Sequence, residues 1–357
     1  MGINKRCFNV IDSVKGGSGK SSLSLMLALA CSNKFSSSDE ARNGKISAYL
    51  IDMDFQGSAF SHLIFGKSAL GSNGQAEQYI NEKILSYYRY SDKKYISNPI
   101  FKLDDDKPGI SSDERIPEYY NIAASLASPY SNDRARFKAV SRLNYSLQIT
   151  YSTFYAGLKK LISSIDLDFA NDKSPEYILF DMPPNSNGYS DAVLDILFGN
   201  KEGRPKDSAF NYFELLTFDS GHIDATMRWF ESFVKDEKYC FPDHFFFVFN
   251  NVPTSISNFS STDDPLLNEI ILRVQKRIVN IMKSAHSDLL ERISLVGISY
   301  QADYLKKCCS GSAIIEDFLP TTIKNPVSFY VSIAEPPIIT NSAATKWLLE
   351  RMKESQA

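Results

Sequence analysis

Residues 13–22 read SVKGGSGKSS, with Gly16, Gly17 and Gly19 leading into Lys20 and Ser21. The stretch approaches the phosphate-loop pattern G-x-x-x-x-G-K-[ST]. The opening glycine of that pattern would fall at Val14 and is missing, and a second lysine, Lys15, stands next to it. Glycines in such a turn let backbone N–H groups point inward at phosphate oxygens, and a helix starting there adds favourable partial charge. Lys20 would then reach the β- and γ-phosphates of a nucleotide, and the Ser21 hydroxyl would ligate Mg²⁺.

Two further segments carry acids in the same order as a nucleotide site needs them. Asp52-Met53-Asp54-Phe55-Gln56 ends one apolar run, and Ile178-Leu179-Phe180-Asp181-Met182-Pro183-Pro184 ends another. Ligands of open α/β sheets bind at the carboxyl ends of the strands. An apolar strand closing on an aspartate has the form of a Walker-B strand, whose aspartate helps hold Mg²⁺.

These residues need strands and helices to bring them together, and the chain has the pattern. Cys7–Val14 reads as a strand and Lys20–Cys31 as an apolar helix. Lys45–Asp52, Tyr119–Ala124, Tyr177–Phe180, Phe213–Thr217, His244–Phe249 and Ser294–Ile298 read as further strands. Between them fall helical stretches at Thr153–Ile165, Ser190–Phe198, Ile223–Val234 and Pro265–Ala285, with another near Glu77–Tyr90. Short apolar strands alternating with helices predict a doubly wound α/β fold, with a mostly parallel sheet and helices on both faces.

The chain of 357 residues is 43% apolar and 23% charged, which suits a globular core. We expect one P-loop domain over 1–357, with an insertion at about 66–118 and a divergent tail at about 320–357. A formal charge of −3 argues against a globally basic nucleic-acid binder. Five scattered cysteines contain no C-x-x-C pair, which favours buried thiols over a disulfide framework or zinc site. No apolar run approaches the roughly 20 residues of a membrane span, and the N-terminus lacks signal-peptide character, so the expected location is cytoplasmic.

KGGSGKSS resembles the deviant Walker A motif, K-G-G-x-G-K-[ST]-[ST], of the ParA/MinD family of ATPases. DMDFQ is similar to that family's D-x-D-P-Q segment, with Phe55 in place of proline, and ILFDMPPNSNG to its Walker-B strand. Val296–Asp317 resembles the region after the family's last core strand, so the likeness spans roughly residues 5–320. The resemblance implies a Mg²⁺-dependent ATPase that forms an ATP-sandwich homodimer and acts as a molecular switch. Hydrolysis would be slow and stimulated by a protein partner. Gly16, Gly17, Ser18, Gly19, Lys20, Ser21 and Ser22 would hold the phosphates. Lys15 would reach the nucleotide of the other subunit, Asp54 would orient the attacking water, and Asp52 would support Mg²⁺ through a bound water. Asp181 takes the Walker-B place, and Asn250 the place of a base-recognising polar side chain. Alternatives are an ATP-sensing structural subunit with little turnover and a kinase on the same loop.

Family members of the ParA type contact nonspecific DNA through C-terminal basic residues, and Arg273, Lys276, Arg277 and Lys283 form a comparable stripe. A solvated helix face is the plainer reading of that stripe. The tail AATKWLLERMKESQA invites comparison with a MinD-type membrane helix, but acids interrupt its polar side, which favours packing over membrane binding.

Overall fold

The computed structural model describes residues 6–33, 47–54, 101–102, 122–125, 151–168, 175–184, 188–199, 208–252, 265–299, 330–332 and 351. Phe55, Gln56, the helix expected near 77–90 and nearly all of the tail lie outside the described residues.

Nine strands form one sheet in the order β3-β4-β2-β5-β1-β6-β7-β8-β9. They are β1 (Arg6–Asp12), β2 (Ala48–Asp52), β3 (Phe101–Lys102), β4 (Ile122–Ser125), β5 (Tyr177–Asp181), β6 (Ser208–Leu216), β7 (His244–Val252), β8 (Ile293–Ser299) and β9 (Tyr330–Ser332). The described α-helices are α1 (Lys20–Asn33), α2 (Tyr151–Asp168), α3 (Gly188–Leu197), α4 (Ser220–Lys235) and α5 (Pro265–Ala285). The seven strands from β4 to β8 run parallel, while β3 and β9 pair antiparallel at the two ends. The expected doubly wound, mostly parallel sheet is what the chain forms.

Strand β1 is buried from Cys7 to Asp12, as a central parallel strand covered on both faces must be. Alternate residues serve opposite faces. Phe8, Val10, Tyr49, Ile51, Ile178 and Phe180 belong to the core that includes α2, α3, α4 and α5. Cys7, Ile11, Leu50 and Leu179 take the other face, where α1 lies against β1, β2 and β5. Helix α1 is buried without a break from Leu23 to Cys31, which explains its lack of a polar side.

Polar residues inside the sheet bond to one another, with Asn211 Oδ1 left without a partner among the described residues. Asn9 Nδ2 donates to the carbonyls of Cys7 at 3.1 Å and Ile178 at 3.2 Å. Asn211 Nδ2 donates to Asn9 Oδ1 at 3.0 Å, and the Cys7 thiol donates to the same oxygen. These bonds let β6 begin at Ser208, five residues before the apolar run marks its start.

The face under α4 is aromatic. Phe245 packs against Tyr212 at 5.0 Å, Phe230 at 4.9 Å and Phe247 at 4.7 Å between ring centroids. In α5, Ile271, Val274 and Ile278 are buried, while Arg273, Lys276 and Lys283 are exposed. Arg277 leaves that exposed stripe and pairs with Asp224 of α4. Among the described residues no helix is long and apolar enough to cross a membrane.

Phe245 is fully buried. Phe245→Ala should therefore lower stability by about 3–5 kcal/mol. Urea unfolding measures it, and a loss below about 1 kcal/mol would show that the aromatic layer collapses around the gap.

Candidate functional site

Strand β1 runs between β5 and β6, and its carboxyl end opens into the turn Ser13–Gly19 before α1. Gly17 and Gly19 have φ of 73° and 93°, the left-handed region that glycine enters without strain. Gly19 is constrained a second way, because a Cβ there would collide with the Asn250 amide. That amide donates from Nδ2 to the Ser18 carbonyl at 2.7 Å and ties the end of β7 to the loop. Asn250, expected from sequence to recognise a base from the end of its strand, thus lies against the loop with its amide bonded to the Ser18 carbonyl. Ser18 Oγ is buried and has no hydrogen-bond partner among the described residues. A phosphate oxygen in the turn would meet that demand.

Lys20, at the first position of α1, is only 7% exposed. One residue on, Ser21 Oγ donates to Asp181 Oδ2 at 2.7 Å. Ser24, a turn further, donates to Asp181 Oδ1 at 3.2 Å and to the Lys20 carbonyl at 3.0 Å. Asp52 and Asp181 are register partners on β2 and β5, both buried, so their carboxyl groups stand side by side on the α1 face. The Asp54 N–H donates to Asp52 Oδ1 at 2.9 Å, which folds the chain back after β2. Burial pushes the Asp181 carboxyl up to about 7, against the opposing pull of the Ser21 hydroxyl and the Lys20 ammonium.

This oxygen-only donor set fits Mg²⁺, which is commonly held by one or two carboxylates and completed by substrate phosphates and waters. Among the described residues no cluster of three His, Cys, Asp or Glu side chains could hold a metal alone. A cation here would need the nucleotide as a co-ligand.

The entrance of the turn is organised by α4. Asp219 caps that helix, its side chain accepting from His222 N at 2.7 Å, and its Oδ1 lies 3.5 Å from Lys15 Nζ. Both side chains of this pair are about half exposed, so it holds Lys15 only weakly. The Thr217 N–H donates to His222 Nδ1 at 3.3 Å, which makes Nδ1 an acceptor and leaves the ring proton on Nε2. Nε2 then donates to Ser13 Oγ at 3.2 Å, and Ser13 Oγ donates to the Leu215 carbonyl at 2.9 Å. Burial first, then the neighbouring Lys15, pushes His222 down to about 4.

The residues expected from sequence, Lys15 to Ser22, Asp52, Asp54, Asp181 and Asn250, thus converge on one end of the sheet. Ser24, Asp219 and His222 were missed. Ser24 stands one helical turn after Lys20, and the Asp219-Ser220-Gly221 run ahead of an amphipathic stretch carries an N-cap signal.

No family model matches the chain, and no curated protein matches it in sequence. Solved structures resemble it in fold. An ATP complex of McdA from Cyanothece aligns over 99% of this chain and 97% of its own, with TM-score 0.53 and 12% identity. MinD from Pyrococcus horikoshii with Mg-ADP aligns over 99% of both chains at TM-score 0.47 and 12% identity. A plasmid partition protein from Borrelia burgdorferi covers 88% of this chain and 98% of its own, at TM-score 0.46 and 18% identity.

The depressed His222 pKa fixes a pH dependence. The unfolded chain binds a proton near 6.5 and the folded chain only near 4, so the contribution is complete above 6.5 and is lost as pH falls toward 4. Between about pH 7 and pH 4.5, wild type should lose on the order of 2 kcal/mol more than His222→Gln, by urea unfolding at both pH values. Parallel pH profiles for the two proteins would mean that His222 is protonated in the fold. The strand order, the phosphate turn after β1 and the McdA likeness agree: the chain has the fold of the ParA/MinD-type P-loop ATPases.

Proposed function

We propose that the chain is a Mg²⁺-dependent ATPase that closes as an ATP-sandwich dimer and works as a molecular switch. The observation that carries this reading is the Ser21–Asp181 hydrogen bond beside the buried Lys20, at the mouth of a glycine turn. In this reading the N–H groups of Gly16, Gly17, Ser18 and Gly19 and the Ser22 hydroxyl bind phosphate oxygens, and Lys20 bridges the β- and γ-phosphates. Ser21, Asp181 and, through water, Asp52 would hold Mg²⁺, which supplies charge neutralisation on the phosphates when bound. Asp54 orients the attacking water at the free end of β2. Lys15, exposed and with its ammonium paired to Asp219 among the described residues, is able to swing to a second subunit, where its ammonium would stabilise charge on the transferring phosphoryl group. A protein partner would stimulate turnover and so end the dimeric state. The exposed residues Arg273, Lys276 and Lys283 support nonspecific DNA as one surface that the switch controls.

Lys20→Ala and Asp181→Ala should each abolish tight Mg·ATP binding, read by equilibrium dialysis with labelled ATP. They remove the phosphate-facing cation and a support of the metal. Unchanged affinity in both variants would exclude this site.

Mixing Lys15→Ala with Asp54→Ala tests the trans role. Each variant alone should hydrolyse ATP poorly, a lysine finger contributing less than the about 10³–10⁵-fold of an arginine finger. In mixed dimers the Asp54→Ala subunit can lend its Lys15 to a site with an intact Asp54, so activity should return. Inactive mixed dimers would show that Lys15 serves its own subunit.

A further inference from the structure

Beneath the phosphate turn, on the face opposite Asp181, lies a pair of acids that the proposed hydrolysis does not use. Asp12 and Glu214 are register partners on β1 and β6, and they are 2% and 1% exposed. They grip the start of the turn: Ser13 N–H donates to Asp12 Oδ1 at 2.7 Å, and Val14 N–H donates to Glu214 Oε1 at 3.2 Å. The Tyr212 hydroxyl donates to Asp12 Oδ2 at 2.9 Å, and Thr226 Oγ1 of α4 donates to Glu214 Oε1 at 3.4 Å. Both Asp12 oxygens therefore accept hydrogen bonds. Glu214 Oε2 accepts none among the described residues, which makes it the place for a proton.

Two adjacent ionised carboxylates without water are strongly disfavoured. The compensating charge within reach is Lys20 of α1, the same ammonium that the proposed function directs at phosphates. Other titratable groups around the pair are Tyr212 on β6, whose hydroxyl bond favours the ionised form of Asp12, and Asp191 on α3, which disfavours it, with His222 of α4 reaching the turn through Ser13. Nucleotide phosphates would take over the Lys20 charge and add negative charge of their own. We infer that Asp12 and Glu214 are positioning residues that share one proton, and that nucleotide binding at the turn requires this proton on Glu214.

The inference rests on the nucleotide-binding reading of the turn. Burial, then the neighbouring Asp12, holds the Glu214 carboxyl well above the usual carboxylate range, and burial raises Asp12 as well. The protonated Glu214 keeps Oε1 for the Val14 N–H, so the turn stays in place. With both acids ionised, repulsion acts directly on the two backbone groups that lead into Lys15. Proton uptake on binding means that affinity falls as pH rises through the titration of the pair, by about tenfold per pH unit for one proton.

The test is calorimetric titration of the full chain with ADP in Mg²⁺-free buffer, from about pH 5 to about pH 9, in two buffers of different ionisation enthalpy. Wild type should take up a proton on binding and lose affinity as pH rises. Glu214→Gln retains the Oε1 acceptor and an N–H donor toward Asp12, so it should keep its affinity at high pH and take up correspondingly less proton. Asp12→Asn is the second variant, with the same flattened profile expected. Titration of the ADP phosphate and of Asp181 is common to all three proteins and drops out of the comparison. If wild type and both variants bind ADP with one shared pH profile, the inference fails and the nucleotide site stands. If wild type binds no ADP at any pH, both readings fall together.

Discussion

A buried lysine sets the terms for everything around it. Lys20 lies at the start of α1 with little access to solvent, and an ammonium there costs several kcal/mol unless charge and hydrogen bonds compensate it. The fold answers with carboxyl groups on both faces of the sheet. Asp181 stands on the α1 face, and Asp12 and Glu214 stand on the face covered by α3 and α4. The glycine turn wraps between these groups, and its backbone N–H groups finish the polar lining. A cluster this dense in charge is held in an unsatisfied balance, the opposite of what a fold selected for stability alone would bury.

The parallel sheet makes that balance possible. Parallel strands bring the carboxyl ends of β1, β2, β5 and β6 to one edge, so that residues distant in sequence become register neighbours. Asp52 beside Asp181 and Asp12 beside Glu214 are both consequences of register. The apolar bodies of these strands and the aromatic layer under α4 supply the burial that holds the acids in place. Helix α4 then links the layers. Its first turn, through Asp219 and His222, touches the phosphate turn, and Asp224 further along pairs with Arg277 of α5.

What the amino-acid sequence showed was local: strand, turn and helix around Lys20, the acids ending β2 and β5, and the alternation that implies a parallel sheet. Each depends on residues within a few positions of one another. What it hid was set by distance. Strands β3 and β9 are two and three residues long, too short to carry any periodicity. The early start of β6 is masked by Ser208 and Asn211, the second of which donates its amide to Asn9 and Cys7 on the neighbouring β1. The Asp12–Glu214 pair cannot be seen without knowing that β1 and β6 are neighbours and in which register. Asp219 was missed although its signal is local, a short acceptor side chain ahead of an amphipathic run.

Cys7 illustrates a different outcome of the same burial. Its thiol sits near the start of the central strand, wholly shielded and hydrogen-bonded to Asn9. A sulfur reagent or oxidant must wait for the sheet to part before it can reach that atom. The half-buried Cys240, in the segment just before β7, has no such barrier. The two thiols therefore report on different events in the same molecule, one on wholesale opening of its centre and the other on local fluctuation at its rim.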